Sequence, residues 1–384
     1  MQVNIRGNAA GNAIAVDSRA SGYAIRISLI AALGGFLFGF ETAVISGAEK
    51  TIQSLWNLNP FWQGFTVAAS LIGTVLGSLI TGGPAQKYGR KKILVAIAIM
   101  YLVSAIGCAL TPIWVLFIIF RFIGGVAVGA SSVVGPMYIS EISPAALRGR
   151  LAGLFQLNIV AGIFIAYLTN FLFADLGENS WRWMLGVMML PAGLFALLVR
   201  TIPESPRWLV LNNRDEEATA IFARTGEPDA VGLIREEHEL SKHGIKEKLF
   251  NGKFNKPILF AVALAMFNQL SGINAILYYA PRIFEMAGFS KAEAYLQPVY
   301  IGAANLLFTL IAMSVIDKFG RKTLLLIGTA GIIVFLSLTA YAFNSGVSGN
   351  SNVLIYLIGF IAFFAFSQGA VIWVFISEIF PNSV

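Results

Sequence analysis

Charged residues and cysteine are both scarce in this chain of 384 residues. Only 12% of the residues are charged, against about a quarter in soluble globular proteins, and 57% are hydrophobic. The single cysteine, Cys108, excludes an intramolecular disulfide and a cysteine-based metal site. The two histidines, His238 and His243, miss the spacing of a His-Glu-x-x-His zinc site, whose histidines must share one helix face. We therefore expect a membrane protein that uses no metal and no other cofactor.

Ten apolar runs are long enough to cross the ~30 Å hydrocarbon core of a bilayer as helices. They lie at about 26–48, 62–83, 93–111, 113–135, 151–173 and 183–201, and then at about 256–281, 296–316, 323–343 and 353–377. The pattern predicts an all-α membrane protein with six and then four spans. The predicted parts are a cytoplasmic tail over 1–25, a six-helix bundle over 26–201, a cytoplasmic helical linker over 202–255 and an incomplete four-helix bundle over 256–384.

The basic residues indicate how the spans are oriented. If the N-terminus is cytoplasmic, all but a few of the 27 Lys and Arg residues lie in the linker and the loops on the inner side. Because cytoplasmic loops carry an excess of Lys and Arg, we predict a multi-pass protein of the inner or plasma membrane with its N-terminus inside. The net charge of +7 is then a topology signal, and no nucleic acid partner is expected.

Two short motifs occur twice at nearly the same separation. Lys-Tyr-Gly-Arg-Lys at 87–91 returns as Lys-Phe-Gly-Arg-Lys at 318–322, and Ile-Ser-Glu-Ile-Ser-Pro at 139–144 returns at 376–381 with Phe in place of the second Ser. Repeated halves are how secondary transporters build two-sided access around a central site. The first copy continues through Arg148 and two more spans, whereas the sequence stops at Val384. We therefore expect a transporter that is truncated after its tenth span, and we expect such a chain to be inactive.

Two charges, Glu41 in the first span and Arg121 in the fourth, lie well inside the apolar runs. A charge at membrane depth costs at least a few kcal/mol unless it has a partner or faces a water-filled cavity. At 1.5 Å per residue, both lie about 10–12 Å from the outer end of their spans, so they are candidate partners. One interpretation is a static ion pair that fixes packing. The other is a carboxylate that gains and loses a proton while Arg121 controls its pKa.

Polar side chains recur within several spans. They are Gln156 in span five, Asn268, Gln269, Asn274 and Tyr278 in span seven, Asn305 in span eight and Trp373 in span ten. A single amide would be interpreted as an interhelical hydrogen bond, but this number across several spans predicts a polar cavity. Amides both donate and accept hydrogen bonds, which suits a neutral polyhydroxylated solute. At the offset that aligns the halves, Asn274 corresponds to Glu41.

Longer motifs make the chain similar to a known family. They are the glycine-rich stretch at 34–47, Pro-x-Tyr-x-x-Glu at 136–141, Arg-Gly at 148–149, Pro-Glu-Ser-Pro-Arg-Trp at 203–208, Gln-Leu-Ser-Gly-Ile-Asn at 269–274 and Ser-Glu-Ile-Phe-Pro at 377–381. With these motifs the chain resembles the sugar porter family of the major facilitator superfamily along essentially its whole length. The resemblance implies the major facilitator fold, which has twelve spans in the full family.

The resemblance also implies roles for individual residues. It implies that Gln156, Gln269, Asn274, Asn305 and Trp373 contact the sugar, and that Glu41 stands where proton-coupled members have an acid and uniporting members have Asn. Seven further residues resemble the cytoplasmic charge network that latches the halves in the outward-facing state: Arg90, Glu141, Arg148, Glu204, Asp317, Arg321 and Glu378. Positive-inside anchoring is the alternative interpretation, but it does not explain the interleaved acids.

The chain departs from the family pattern at two positions within its spans and loops. Gln86 replaces the acid that is common in the first loop motif, whereas Asp317 retains it in the second, so the latch is expected to be asymmetric. Asn268 stands where the family usually has Gln and is one methylene shorter. This difference leaves the sugar preference open.

These features predict secondary active transport of a monosaccharide, as sugar/proton symport by alternating access. We expect a monomer whose partners are the sugar, a proton and membrane lipid. A facilitative sugar or polyol uniporter and an inactive truncated transporter remain as alternatives. A membrane sugar sensor is less favoured, because sensors of this fold tend to have long cytoplasmic extensions. An enzyme or ATP-driven pump is disfavoured, because the chain has no Gly-x-x-x-x-Gly-Lys-Ser/Thr phosphate loop.

Overall fold

The structure is a computed structural model that describes residues 18–243, 252–345, 350–372, 375 and 379. These residues form α-helices and one π-helical turn, and they contain no β-strand. The helices are α1 (Ser18–Leu55), α2 (Pro60–Ile80), α3 (Gly82–Tyr88), α4 (Arg90–Leu110), α5 (Trp114–Ile142), α6 (Arg148–Phe173), α7 (Ser180–Gly186), α8 (Met189–Leu198), α9 (Pro206–Leu211), α10 (Asp215–Thr225), α11 (Ala230–His243), α12 (Asn255–Leu270), α13 (Ile273–Tyr278), α14 (Ala280–Met286), α15 (Lys291–Phe319), α16 (Arg321–Asn344) and α17 (Asn350–Phe364), with the π-helical turn at Ala365–Gly369.

Ten helical stretches within the described residues are long and apolar enough to cross a membrane, which confirms the predicted number. Helices are the expected solution because a bilayer core offers the backbone no water to bond. The first half of the molecule, α1–α8, supplies six of the ten, and the second half, α12–α17 with the π-helical turn, supplies four. The short helices α9–α11 form the predicted helical segment between the halves.

Helix α1 is longer than the apolar run that predicted it. It begins at Ser18 and continues to Leu55, past the predicted end of the span. No proline interrupts this stretch, and the chain leaves the helix only near Asn57, which adopts a positive φ of 48°. The additional turns at the end of α1 carry Glu49, Lys50 and Gln53, which face polar groups of the second half.

Three of the predicted spans are interrupted helices. The sixth divides into α7 and α8. The seventh breaks at Gly272, where φ is 82°, a left-handed conformation that glycine adopts without steric strain. It breaks again before Pro281, which lies in the first turn of α14, where the missing N–H of proline is tolerated. The tenth contains the π-helical turn. Hydropathy does not reveal such breaks, because each of these stretches remains apolar when it is averaged over the length of a span.

Glycines allow the helices of the first half to approach closely. A Cβ at Gly39 of α1 would overlap the carbonyl oxygen of Ile159 on α6, and a Cβ at Gly125 of α5 would overlap that of Ser70 on α2. Small residues at such crossings are typical of packed membrane helices. These crossings fix α1 beside α6 and α2 beside α5. The two membrane charges, Glu41 on α1 and Arg121 on α5, therefore lie within the same bundle.

The two halves meet along α6 and α1. Helix α6 packs on α15, and α1 packs on α13 and α14. The hydroxyl of Tyr167 on α6, which is fully buried, donates to the carbonyl oxygen of Leu277 on α13 at 2.9 Å. The surface between the halves is thus lined by the helices that carry most of the residues predicted to bind sugar and proton.

Candidate functional site

The two predicted membrane charges form a buried ion pair. A terminal guanidinium nitrogen (NH1) of Arg121 on α5 donates to Oε1 of Glu41 on α1, and 1% and 4% of the two side chains are exposed. The hydroxyl of Ser70 on α2 donates to the same oxygen at 3.4 Å. The structure therefore confirms the pairing that their depth predicted. Whether Glu41 exchanges a proton stays a prediction.

The surroundings of this ion pair leave some of its hydrogen-bonding capacity unused. Within the described residues, Nε of Arg121 and the hydroxyl of Ser104 on α4 are buried without a hydrogen-bond partner. A Cβ at Gly124 would lie 3.0 Å from Oε1 of Glu41 and 2.5 Å from Oγ of Ser104, so glycine keeps this space open. A buried polar atom without a partner calls for an explanation.

Three amides of the broken seventh span are linked in a row, which we call the amide chain. Asn274 Nδ2 donates to Gln269 Oε1 at 2.6 Å, and Gln269 Nε2 donates to Asn268 Oδ1 at 2.9 Å. Asn268 Nδ2 in turn donates to the backbone carbonyl oxygen of Gln368 in the π-helical turn at 3.1 Å. The helix break at Gly272 lies between Gln269 and Asn274 and lets the two side chains meet.

The amides differ in exposure along this chain. Asn268 is buried, Asn274 is half-buried and Gln269 is exposed. Both polar atoms of the Asn268 amide already have protein partners, whereas Gln269 and Asn274 each retain unused donors or acceptors. Asn268 therefore fixes the orientation of Gln269. Gln269 and Asn274 are the more exposed members of the amide chain. The sequence predicted that these residues lie together but did not predict their order.

The remaining predicted contact residues that the structure describes lie on helices that meet at the junction of the halves. Gln156 lies half-buried on α6, while Asn305 on α15 and Tyr278 at the end of α13 are buried. None of the three side chains forms a hydrogen bond with another described residue. Tyr278 belongs to α13, which packs on α1, the helix that carries Glu41. Trp373 lies outside the described residues.

Three of the predicted gating residues meet at one end of the molecule, which we call the Arg90 end. Nε and a terminal nitrogen (NH2) of Arg90 donate to the two carboxylate oxygens of Glu141 at 2.9 and 2.8 Å. Glu204 accepts from the backbone N–H groups of Arg90 and Lys91 at 2.9 and 3.0 Å and so caps α4. The hydroxyl of Ser205 donates to Glu141 at 2.6 Å. We call this group the Arg90 cluster.

The other predicted gating residues do not belong to this cluster. Arg148 lies exposed at the beginning of α6 and forms no ion pair within the described part of the chain. Arg321 begins α16 in the second half. Glu378 and the side chain of Asp317 lie outside the described residues. The structure thus assembles the part of the predicted network that belongs to the first half and the adjoining segment.

A second buried acid–arginine pair, at the opposite end of the molecule, was missed. Nε and a terminal nitrogen (NH2) of Arg282 on α14 donate to the two carboxylate oxygens of Glu49 on α1 at 2.8 and 2.7 Å, and only 1% of the Glu49 side chain is exposed. Gln63 Nε2 on α2 donates to Glu49 at 2.8 Å, and Arg282 also donates to Gln53 at 2.7 Å. Beside them Lys50 pairs with Glu285.

We call these six residues the Arg282 cluster and their side of the molecule the Arg282 end. Glu49 was missed because it lies past the end of the first apolar run and therefore did not count as a membrane charge. One signal could have found it. Glu49 and Arg282 are 233 residues apart, which is the offset that aligns Glu41 with Asn274. Equivalent positions of two repeats lie near their common symmetry axis when they touch, so a complementary charge at each predicts a contact.

Comparison with known proteins gives consistent matches. The family described as "Sugar (and other) transporter" matches residues 27–384. The arabinose-proton symporter of Bacillus subtilis is 37% identical over 375 residues, which cover 95% of this chain and 81% of the symporter. The D-xylose-proton symporter of Escherichia coli is 35% identical over 398 residues, again covering 95% of this chain and 81% of the relative.

Solved structures match as well. The partially occluded, inward open conformation of the xylose transporter XylE from E. coli has a TM-score of 0.85 and 33% identity. The match covers 94% of this chain and 86% of that one.

Proposed function

This chain belongs to the sugar (and other) transporter family, the sugar porters of the major facilitator superfamily, and from that premise we propose that it is a proton-coupled monosaccharide transporter. The observation that carries the proposal is the buried Glu41–Arg121 pair, which lies partly on α1, a helix that packs on α13 of the second half. Relatives named as arabinose-proton and D-xylose-proton symporters support it. The protein is an integral, multi-pass membrane protein with ten candidate spans among its described residues.

The substrate is a neutral sugar bound at the junction of the halves. Gln269 and Asn274 bind its hydroxyl groups through the donors and acceptors that the amide chain leaves unused. Asn268 is a positioning residue, since both polar atoms of its amide are engaged within the protein. Gln156 and Asn305 approach the sugar from α6 and α15, and Trp373 completes the contacts.

Coupling depends on the charge of Glu41. When the carboxylate is ionised, Arg121 holds it, and the pair satisfies both charges within the membrane. When Glu41 takes up a proton, its attraction to Arg121 weakens and the guanidinium can bond elsewhere. A neutral and a charged Glu41 thus favour different arrangements of α1 against α13 of the second half. Sugar and proton therefore cross together as the halves rock about the central site.

The Arg90 end is the cytoplasmic end, with the N-terminus inside, and the protein resides in the inner or plasma membrane as a monomer. The excess of basic residues at this end supports the orientation. The described arrangement is the inward-facing one. Two observations support this: ion pairs join the halves at the Arg282 end, and the fold is similar to a structure described as partially occluded and inward open.

The test is sugar uptake into proteoliposomes that contain the purified full-length protein. With an inward proton gradient, labelled xylose, arabinose or glucose should accumulate above the external concentration, and a protonophore should return it to equilibrium. The Glu217→Gln variant, which alters an exposed acid of α10, is the matched control and should accumulate sugar normally. Uptake that reaches equilibrium but never exceeds it, with or without the gradient, would identify a uniporter and contradict the proposal.

A further inference from the structure

The Arg282 cluster joins the two halves of the molecule at one end, and nothing in the proposed chemistry accounts for it. We infer that Glu49 and Arg282 are positioning residues of the transport cycle, whose ion pair holds the Arg282 end closed and must break whenever that end opens. The inference rests on the proposed function in one respect, that the halves rock between two arrangements. It concerns the closed arrangement itself and requires neither the sugar nor the proton.

The geometry of the pair is that of a strong, directional contact. Two nitrogens of Arg282 reach the two oxygens of Glu49 at 2.8 and 2.7 Å. Such a two-pronged arrangement fixes both distance and orientation, unlike the contact of a flexible lysine. Glu49 is buried, whereas 30% of the Arg282 side chain is exposed. If Arg282 moved away, Glu49 would become a buried, unpaired carboxylate until water reached it, which is strongly unfavourable.

Residues of the first half hold Glu49 ready for this contact. Gln63 donates both to the backbone oxygen of Glu49 and to its carboxylate, each at 2.8 Å. Gln53, one turn further along α1, accepts from Arg282 at 2.7 Å. The acceptor side is therefore preorganised on α1 and α2, and only the arginine has to arrive.

The second half presents its arginine on an element that is separated from the rest of its span. Arg282 lies on the short helix α14, which follows the breaks at Gly272 and Tyr279. Glu285 of the same helix pairs with Lys50, and the hydroxyl of Tyr295 on α15 donates to the backbone oxygen of Gly47 at 2.9 Å. Every one of these contacts joins α1 to the second half, so opening this end must break all of them.

The position of the pair explains why it forms between halves. Glu49 and Arg282 occupy equivalent places in the two repeats, 233 residues apart. Equivalent residues meet near the axis that relates the repeats, as they do in a symmetric dimer. Two identical charges there would repel each other, whereas an acid and an arginine attract. The contact can form only when the repeats close against each other at this end.

The plain alternative is that the pair stabilises the fold equally in both arrangements. The two interpretations differ in one measurable quantity, the population of molecules that are open at the Arg282 end. If the pair stabilises both arrangements equally, its removal lowers the unfolding temperature and leaves that population unchanged. If the pair exists only in the closed arrangement, its removal increases the population of open molecules even in variants that fold normally.

The experiment measures that population directly by electron–electron double resonance in the full-length protein. Spin labels are attached at Ser54→Cys and Ala292→Cys, two exposed positions at this end in different halves, in a Cys108→Ala background. The parent protein should give a dominant short distance. Arg282→Gln should change the ratio of closed to open molecules by about tenfold or more toward the longer distance, since a buried two-pronged contact is lost.

Two further variants keep the result interpretable. Arg282→Lys retains the charge but loses the two-pronged contact, so it should fold normally and give an intermediate shift. Arg214→Gln removes a two-pronged arginine–glutamate pair from the α10 surface and should leave the distances unchanged. If Arg282→Gln fails to fold, the lysine variant decides. Parent-like distances in every folded Arg282 variant would overturn the inference. If the distance shifts in Arg282→Gln but the parent protein transports no sugar, the inference stands and only the proposed function is contradicted.

Discussion

Helix α1 carries two buried acids, and each is paired with an arginine, but the two pairs join different parts of the molecule. Glu41 pairs with Arg121, which belongs to the same half. Glu49 pairs with Arg282, which belongs to the other half. A pair within one half is not broken by the rocking of the halves itself, so in the proposed cycle only the proton on Glu41 weakens it. A pair between the halves forms only when they close at that end, and it stabilises the closed arrangement.

The two ends of the molecule show the same distinction between contacts within one half and contacts between the halves. The Arg90 cluster joins α4, α5 and the segment before α9, all on the side of the first half. The Arg282 cluster joins α1 and α2 to α14 across the halves. In the described arrangement, the Arg90 cluster therefore maintains the shape of one half, while the Arg282 cluster holds the two halves together.

The largest expected effect comes from removing the arginine of the pair within the first half. Arg121→Met should lower the free energy of unfolding by about 3–5 kcal/mol, because Glu41 is left buried and unpaired. Adding Glu41→Gln to this variant should restore most of the loss, since no uncompensated charge remains. Denaturant titrations of the purified protein in detergent would measure both changes. An equally unstable double variant would show that Arg121 acts through packing alone.

The next effect is on sugar binding at the amide chain. Gln269→Ala and Asn274→Ala should each weaken binding by about tenfold or more, because a buried polar group of the ligand left unpaired costs ~1–3 kcal/mol. Isothermal calorimetry with xylose, arabinose and glucose would measure it. Asn212→Ala removes an amide at the end of α9, far from the site, and is the control. Unchanged affinity in both site variants would reduce the amide chain to helix packing.

A smaller effect is expected at the Arg90 end. Glu204→Ala removes the acceptor that caps the first backbone N–H groups of α4, and the loss of a cap costs about 0.5–2 kcal/mol. The unfolding temperature should fall accordingly, while the spin-label distance at the Arg282 end stays as in the parent. Ser205→Ala removes the neighbouring hydroxyl bond to Glu141 and also the N-cap of α9, so a loss of similar size is expected there. A distance shift in Glu204→Ala would show that the two ends are coupled and that the Arg90 cluster does more than maintain the shape of one half.

The spans, the ion pair of Glu41 and Arg121 and the grouping of the amides could be predicted from the sequence. Long apolar runs force helices in a bilayer, and a charge within such a run requires a partner, so both inferences follow from residue type and depth. The repeat also aligned Asn274 in sequence with Glu41. These features depend on the cost of unpaired backbone groups and of unpaired charges in a bilayer, which is large however the spans pack.

Other features depend on packing and could not be predicted in this way. The breaks at Gly272 and at the π-helical turn leave the apolar pattern unchanged, so hydropathy does not detect them. The order of bonds from Asn274 to Gln368 depends on where the tenth span lies relative to the seventh. Glu49 was overlooked because it follows the first apolar run, although its repeat-equivalent position, Arg282, carries the opposite charge. A polar residue past the end of a run can still be buried when the helix extends beyond it.

The most direct test of the account compares the two acids of α1 in the same assay. Full-length Glu41→Gln and Glu49→Gln proteins are reconstituted in proteoliposomes, and both proton-driven accumulation and sugar exchange without a gradient are measured. Glu41→Gln should lose accumulation entirely while exchange continues, because a neutral amide cannot carry the proton. Glu49→Gln should still accumulate sugar, at a changed rate, because closure affects the speed of cycling and not the coupling. A Glu41→Gln protein that concentrates sugar against its gradient would contradict the account.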